Sequence, residues 1–160
     1  MLKKVMEDPN LSQTLRECIE RGVKLWCGTD GGAKDGKGYF GWVIATHNLI
    51  IVENLGSSPG NQEQNESLRS ESTGWLSVLR YMYYFQNYHQ ISFEQCKKIH
   101  YCDNSSLVSR SPSTYRSAPT SSFEYLKADY DVQMQIIQTL QDIGTEIPTI
   151  HVKGHQDNIK

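Results

Sequence analysis

The stretch VKLWCGTDGG, residues 23–32, with GYFGWVIATHNLIIVENL, residues 38–55, decides the fold. Val23, Leu25 and Cys27 alternate with Lys24 and Trp26, the two-residue period of a strand with one covered face. Two further β-rich runs, 39–46 and 49–55, are split by a tight turn at His47–Asn48. Three strands so closely spaced read as an antiparallel meander.

Outward from the meander the period changes. Leu68, Trp75, Leu79, Met82 and Tyr83 recur at helical spacing across 67–86. KKIHYCD, 97–103, is a short strand, and NSSLVSR, 104–110, starts a helix capped by Asn104 or Ser105. A Ser/Pro-rich loop over 109–122 precedes a long helix faced by Phe123, Leu126, Tyr130, Met134, Ile137 and Leu140, which Gly144 terminates. IPTIHV, 147–152, is the last strand. Upstream, Asp8 and Pro9 open a short helix or linker over 1–22 that Gly22 stops. The order βββ-α-β-α-α-β predicts an α/β domain over 23–160, a mixed sheet with helices on its faces.

The 160 residues suffice for one domain with a sizeable core, and 38% hydrophobic content excludes a disordered chain. A net charge of −2 is not the footprint of a protein that binds nucleic acid by phosphate contacts alone. Acidic residues that hold cations avoid this objection, because the metal supplies the positive charge. No apolar run reaches the roughly 18 residues of a membrane span, and MLKKVMEDPN lacks the apolar core of a secretory signal. An intracellular protein, in cytoplasm or nucleus, is expected. Cys18, Cys27, Cys96 and Cys102 show no metal-type spacing and read as reduced, mostly buried thiols.

Three carboxylates stand out. Asp30 ends the first strand before Gly31–Gly32, where Asp-Gly is also ordinary turn chemistry. Asp103 ends the fourth strand, where the dipole of a following helix also favours a carboxylate. Glu71 shares the inward helix face with Leu68 and Trp75, and Arg69 points elsewhere on the wheel. A buried carboxylate needs a partner. Strand ends in such sheets gather their ligand sites, so the three acids are predicted to meet there. A hard-oxygen cluster suits Mg²⁺ or Mn²⁺, and paired ions of this kind serve phosphodiester hydrolysis.

CGTDGGAKDGKGYFGWVI, LRSESTGWLSVL, IHYCDNSSLV and IHVKGHQD occur in the order and context of the ribonuclease H domain. From about residue 23 onward the chain resembles that family, in the form attached to retrotransposon reverse transcriptases. The resemblance implies the ribonuclease H-like fold, a five-stranded mixed sheet flanked by helices. It further implies two Mg²⁺ or Mn²⁺ ions and cleavage of the RNA strand of an RNA–DNA hybrid. By the same resemblance Asp30, Glu71 and Asp103 are the metal ligands, and His155 is the mobile histidine that assists proton transfer or product release. A polymerase domain of the same polyprotein is the implied partner.

The family carries a fourth carboxylate on a helix beyond the histidine, and Lys160 ends the sequence before it would arrive. Asp157 is too close to His155 to match it, and Asp131 reads as a surface charge. The expectation is therefore a domain lacking its C-terminal helix, with impaired cleavage. A non-cleaving domain that binds nucleic acid or docks a polymerase is the alternative. A transposase or integrase ranks last, because Glu146 falls at a strand start rather than on a helix. Reading the 2′-hydroxyl of RNA calls for backbone and small polar groups near the metals, which singles out Gly31, Gly32, Ser70 and Asn104. Lys34, Lys37, Arg110, Arg116 and Lys153 are scattered cations available to phosphates or to solvent.

Overall fold

The computed structural model describes residues 9–58, 67–104, 107 and 130–153. Helix α1, Pro9–Glu20, buries Leu15 and Ile19, one turn apart, completely. Its end is closed by Gly22, whose φ of +68° only glycine adopts freely. Val23 N donates to Cys18 O at 2.9 Å and Gly22 N to Ile19 O at 3.0 Å, the paired bonds of a Schellman cap. Leu15 and Ile19 lie in the same buried cluster as the sheet residues, so α1 contributes to the main core.

Strands β1 (Leu25–Lys34), β2 (Lys37–Ala45) and β3 (Ile50–Ser58) form the expected antiparallel meander. Asp35 and Gly36, at φ +53° and +74°, join β1 to β2 in a two-residue turn of the type that matches strand twist. After helix α2 (Ser67–His89) and a 3-10 turn at Phe93–Gln95, strand β4 (Lys98–Cys102) lies parallel to β1. Helix α3 (Tyr130–Ile143) ends at Gly144, and β5 (Thr149–His151) adds parallel to β4. The sheet order is β3-β2-β1-β4-β5, a five-stranded mixed sheet.

One sheet face is covered. Leu25, Cys27 and Thr29 of β1, Trp42 and Ile44 of β2, and His100 and Cys102 of β4 are all buried. The alternate positions Trp26, Tyr39 and Leu55 are exposed. Helix α2 packs against both the sheet and α3. Seven of its residues between Trp75 and Phe85, including Leu79 and Met82, are buried. Thr73 and Ser77, half-buried, and Arg80 and Tyr84, exposed, form the stripe left toward solvent, so the helix is covered over most of its circumference.

Several polar groups trapped with it are paired. Arg69 meets Asp131 of α3 through two bonds, 3.2 and 3.1 Å, and Gln133 Nε2 donates to Ser72 Oγ at 3.1 Å. Asp131 is therefore more than a surface charge: it neutralises a nearly buried guanidinium, which in turn lowers its own pKa. The Lys98 ammonium, also buried, donates to the carbonyls of Phe93 and Cys96. All four cysteines are free thiols, three of them buried. Among the described residues no helix is long and apolar enough to cross a membrane.

Because α1 shares the core, Leu15→Ala is expected to destabilise the whole domain by about 2–5 kcal/mol. Urea denaturation followed by far-ultraviolet circular dichroism should show a single transition at a lower midpoint.

Candidate active site

The three carboxylates converge. Asp30 leaves β1, Asp103 follows β4 directly, and β1 and β4 are neighbours in parallel register, with Thr29 opposite Cys102. Glu71 comes from the first turns of α2. One ligand oxygen from each lies within 4.8 Å of the others.

Close approach of helix and strand makes this possible. A Cβ added at Gly31 would stand 2.7 Å from Glu71 N and 2.9 Å from the Ser70 carbonyl carbon. Only a residue without a side chain lets α2 sit this near β1. One position on, a Cβ at Gly32 would meet nothing within 4 Å. Further along, Phe40 fits between Gly74 and Gly56, whose added Cβ atoms would lie 3.1 Å and 2.5 Å from it.

The electrostatics are unbalanced. Glu71 is 2% exposed, Asp103 half-buried and Asp30 exposed. Burial first, then a hydrogen bond shared with Asp103 and the charges of Asp103 and Asp30, push the Glu71 carboxyl up to about 8. A bond from the Gly31 backbone opposes this only in part. The Asp30 carboxylate accepts from Gly31 N at 2.9 Å. The Cys102 thiol sits 3.9 Å from Glu71 Oε2, and burial raises it to about 11, so it is a neutral neighbour.

These acids line one wall of a cleft of about 740 Å³, and none of its ten lining residues carries a positive charge. Three hard oxygens converging without a cationic side chain fit a divalent cation, which would favour the ionised form of Glu71.

Of the other expected residues, Gly31, Gly32 and Asn104 line the cleft. Asn104 Oδ1 accepts from Leu107 N at 3.0 Å, the bond of a helix-capping residue. Ser70 differs: its side chain is fully buried and Oγ has no partner, so what it offers the site is small bulk beneath Gly31. His155, Arg110 and Arg116 lie outside the described residues. Lys34, Lys37 and Lys153 are exposed. Glu146 is exposed in the α3–β5 connection and belongs to no acidic cluster.

Sequence reasoning missed Tyr39, Phe40 and Leu55, which line the cleft, and His151, whose Nε2 lies 3.1 Å from the Asp103 carbonyl. The Asp35–Gly36 turn was the available signal for Tyr39, because that register sets it opposite Gly32.

Two outcomes follow from this geometry. Gly31→Ala should cost about 1–3 kcal/mol in thermal denaturation, as overpacking does, whereas Gly32→Ala stays within about 0.5 kcal/mol. The second concerns pH. A carboxyl raised in the folded state contributes stability present below its unfolded value of 4.5. That contribution is lost as pH rises toward about 8. Metal-free protein should therefore lose stability over this window, Glu71→Gln should flatten the loss, and added Mg²⁺ should offset it. Melting curves across pH check all three.

No protein-family model matches the chain, and no curated protein matches it. Solved structures do. The N-terminal RNase H domain of a Mycobacterium tuberculosis protein, fused to maltose-binding protein, is similar at a TM-score of 0.56 and 15% identity, covering 85% of this chain and 86% of that one. RNase H1 of the archaeon Halobacterium salinarum gives 0.55 and 12%, covering 82% and 86%. LC11-RNase H1, isolated from compost by a metagenomic approach, gives 0.59 and 14%, covering 84% and 88%. With the strand order and the covered sheet face, these likenesses establish that the chain has the ribonuclease H-like fold.

Proposed function

We propose that this chain is a divalent-metal-dependent nuclease that hydrolyses the RNA strand of RNA–DNA hybrids. The observation that carries the reading is the convergence of Asp30, Glu71 and Asp103 within 4.8 Å at one end of the sheet. A structural role explains it poorly, since two like charges beside a buried carboxyl raise the energy of the fold. Mg²⁺ or Mn²⁺, as two ions, is the fitting cofactor. Bound there, the ions would activate a water for attack on the scissile phosphate and stabilise the leaving oxygen.

The chain's own residues supply the rest. The three carboxylates would hold and space the ions, with Glu71 fixed most rigidly because it is buried. The open space at Gly32 supports room for a sugar–phosphate backbone beside the metals, and Gly31, Gly32 and Asn104 at the cleft would contribute contacts to a 2′-hydroxyl. Tyr39 and Leu55, exposed at the cleft, offer apolar contact to a sugar or base. His155 would assist proton transfer or product release. The setting we infer is a retroelement reverse transcriptase, with the polymerase domain as partner in the same polyprotein, inside the cell. Support for this setting is the motif resemblance alone.

The test is cleavage of labelled hybrid with Mg²⁺ or Mn²⁺, beside RNA and DNA duplexes. The RNA strand of the hybrid should be cut only with metal. Asp103→Asn should lower the rate by more than about 100-fold, the upper end for losing a partner one shell further from a metal. Retained activity in Asp103→Asn refutes the site. Tight hybrid binding without cleavage under both metals would favour a non-cleaving domain.

A further inference from the structure

We propose that His151 is a positioning residue for Asp103, acting with His100 as a cross-strand clamp that fixes the carboxyl end of β4. The inference rests on the metal-site reading above, but not on the identity of the substrate.

Asp103 has the weakest local support of the three acids. Asp30 continues within β1 and Glu71 is embedded in α2, whereas β4 ends at Cys102, one residue before Asp103. The strand beside it, β5, is three residues long, pairing His100 with Thr149, Tyr101 with Ile150 and Cys102 with His151. On the other side β1 pairs with β4 as far as Cys102, so neither ladder reaches Asp103 itself, which faces repulsion from Glu71 and Asp30.

Two imidazoles reinforce it in opposite directions. From β4, His100 Nδ1 meets Thr149 Oγ1 on β5 at 3.0 Å. From β5, His151 Nε2 lies 3.1 Å from the Asp103 carbonyl oxygen. A carbonyl only accepts, so Nε2 of His151 carries the proton and donates it into this bond. The bond reaches past the last ladder pair and holds the backbone of the ligand residue itself.

His100 ties the clamp to the rest of the site. It is fully buried, its Nε2 is 2.7 Å from Oγ1 of Thr29, next to Asp30, and its ring stacks on Trp75 at 3.7 Å and 1°. Trp75 stands one helical turn beyond Glu71. One buried ring thus touches each element that carries a carboxylate, and the second, exposed ring extends that frame to Asp103.

The experiment compares wild type, His151→Ala, His151→Gln, Thr149→Val and the turn control His47→Ala. Mn²⁺ affinity is read by electron paramagnetic resonance without nucleic acid, with the metal-free Tm measured beside it. His151→Ala should weaken Mn²⁺ binding by about tenfold, the scale for partners that orient metal ligands, with its metal-free Tm unchanged. His151→Gln retains a donor and should bind close to wild type. Thr149→Val should shift affinity in the same direction as His151→Ala, by less, and His47→Ala should shift nothing. Unchanged affinity in His151→Ala overturns the proposal, as does an equal fall in Ala and Gln or a fall that tracks a lowered Tm. Wild type that binds Mn²⁺ with these variant effects but cuts no hybrid overturns the nuclease reading alone. Normal cleavage with indifferent His151 variants overturns the clamp alone. Wild type that binds no Mn²⁺ overturns both.

Discussion

The rest of this structure depends on how closely α2 lies against β1, because that contact carries a glutamate into the covered layer and leaves it beside two aspartates. A glycine on the strand and small residues on the helix are the condition for the contact. Its electrostatic consequence is a carboxyl held near neutrality by burial and by like charges. Close packing and charge repulsion pull against one another here. A cation is the natural arbiter, since it restores the charge the fold suppresses.

The covering of α2 explains the surrounding chemistry. The sheet and α3 cover most of the helix and leave Arg80, Tyr84 and Tyr88 to solvent, so several polar groups on its covered faces find partners inside. Arg69 finds Asp131, and Ser72 finds Gln133. Trp42 Nε1, at the helix–sheet contact, donates to Ser77 Oγ at 2.9 Å. These bonds are individually modest, but an unmade one among them would cost more than it contributes when made. Together they fix the rotation of α2 about its axis, which decides whether Glu71 faces the strand ends or the sheet interior.

Much of the fold was legible because its signals are local. Alternation over Val23–Cys27, helical spacing from Leu68 to Tyr83, and stops at Gly22 and Gly144 each reflect a backbone preference written in a few neighbouring residues. Asp30, Glu71 and Asp103 were legible for the same reason, each falling at a marked end of a periodic element. Other features depend on what packs across from them. Ser70 reads as cleft-facing beside Glu71, yet burial between layers removes it from reach. Tyr39 and Leu55 enter the cleft through strand register, which composition does not reveal. The His100–Trp75 stack and the His151 bond need three-dimensional neighbours separated by 25 and 48 residues.

The shortness of β5 has a consequence for how the site comes apart. Backbone amides on the covered part of α2, around Trp75–Met82, should exchange with solvent only when the whole domain opens. Those of the three-residue β5, at the sheet edge with Ile150 and Val152 exposed, belong to the low end of local opening energies. The two neighbours of β4 thus differ in protection, β1 inside the sheet and β5 at its edge. Warming would fray β5 and its His151 bond to Asp103 first, while Glu71 and the β1–β4 ladder are still in place.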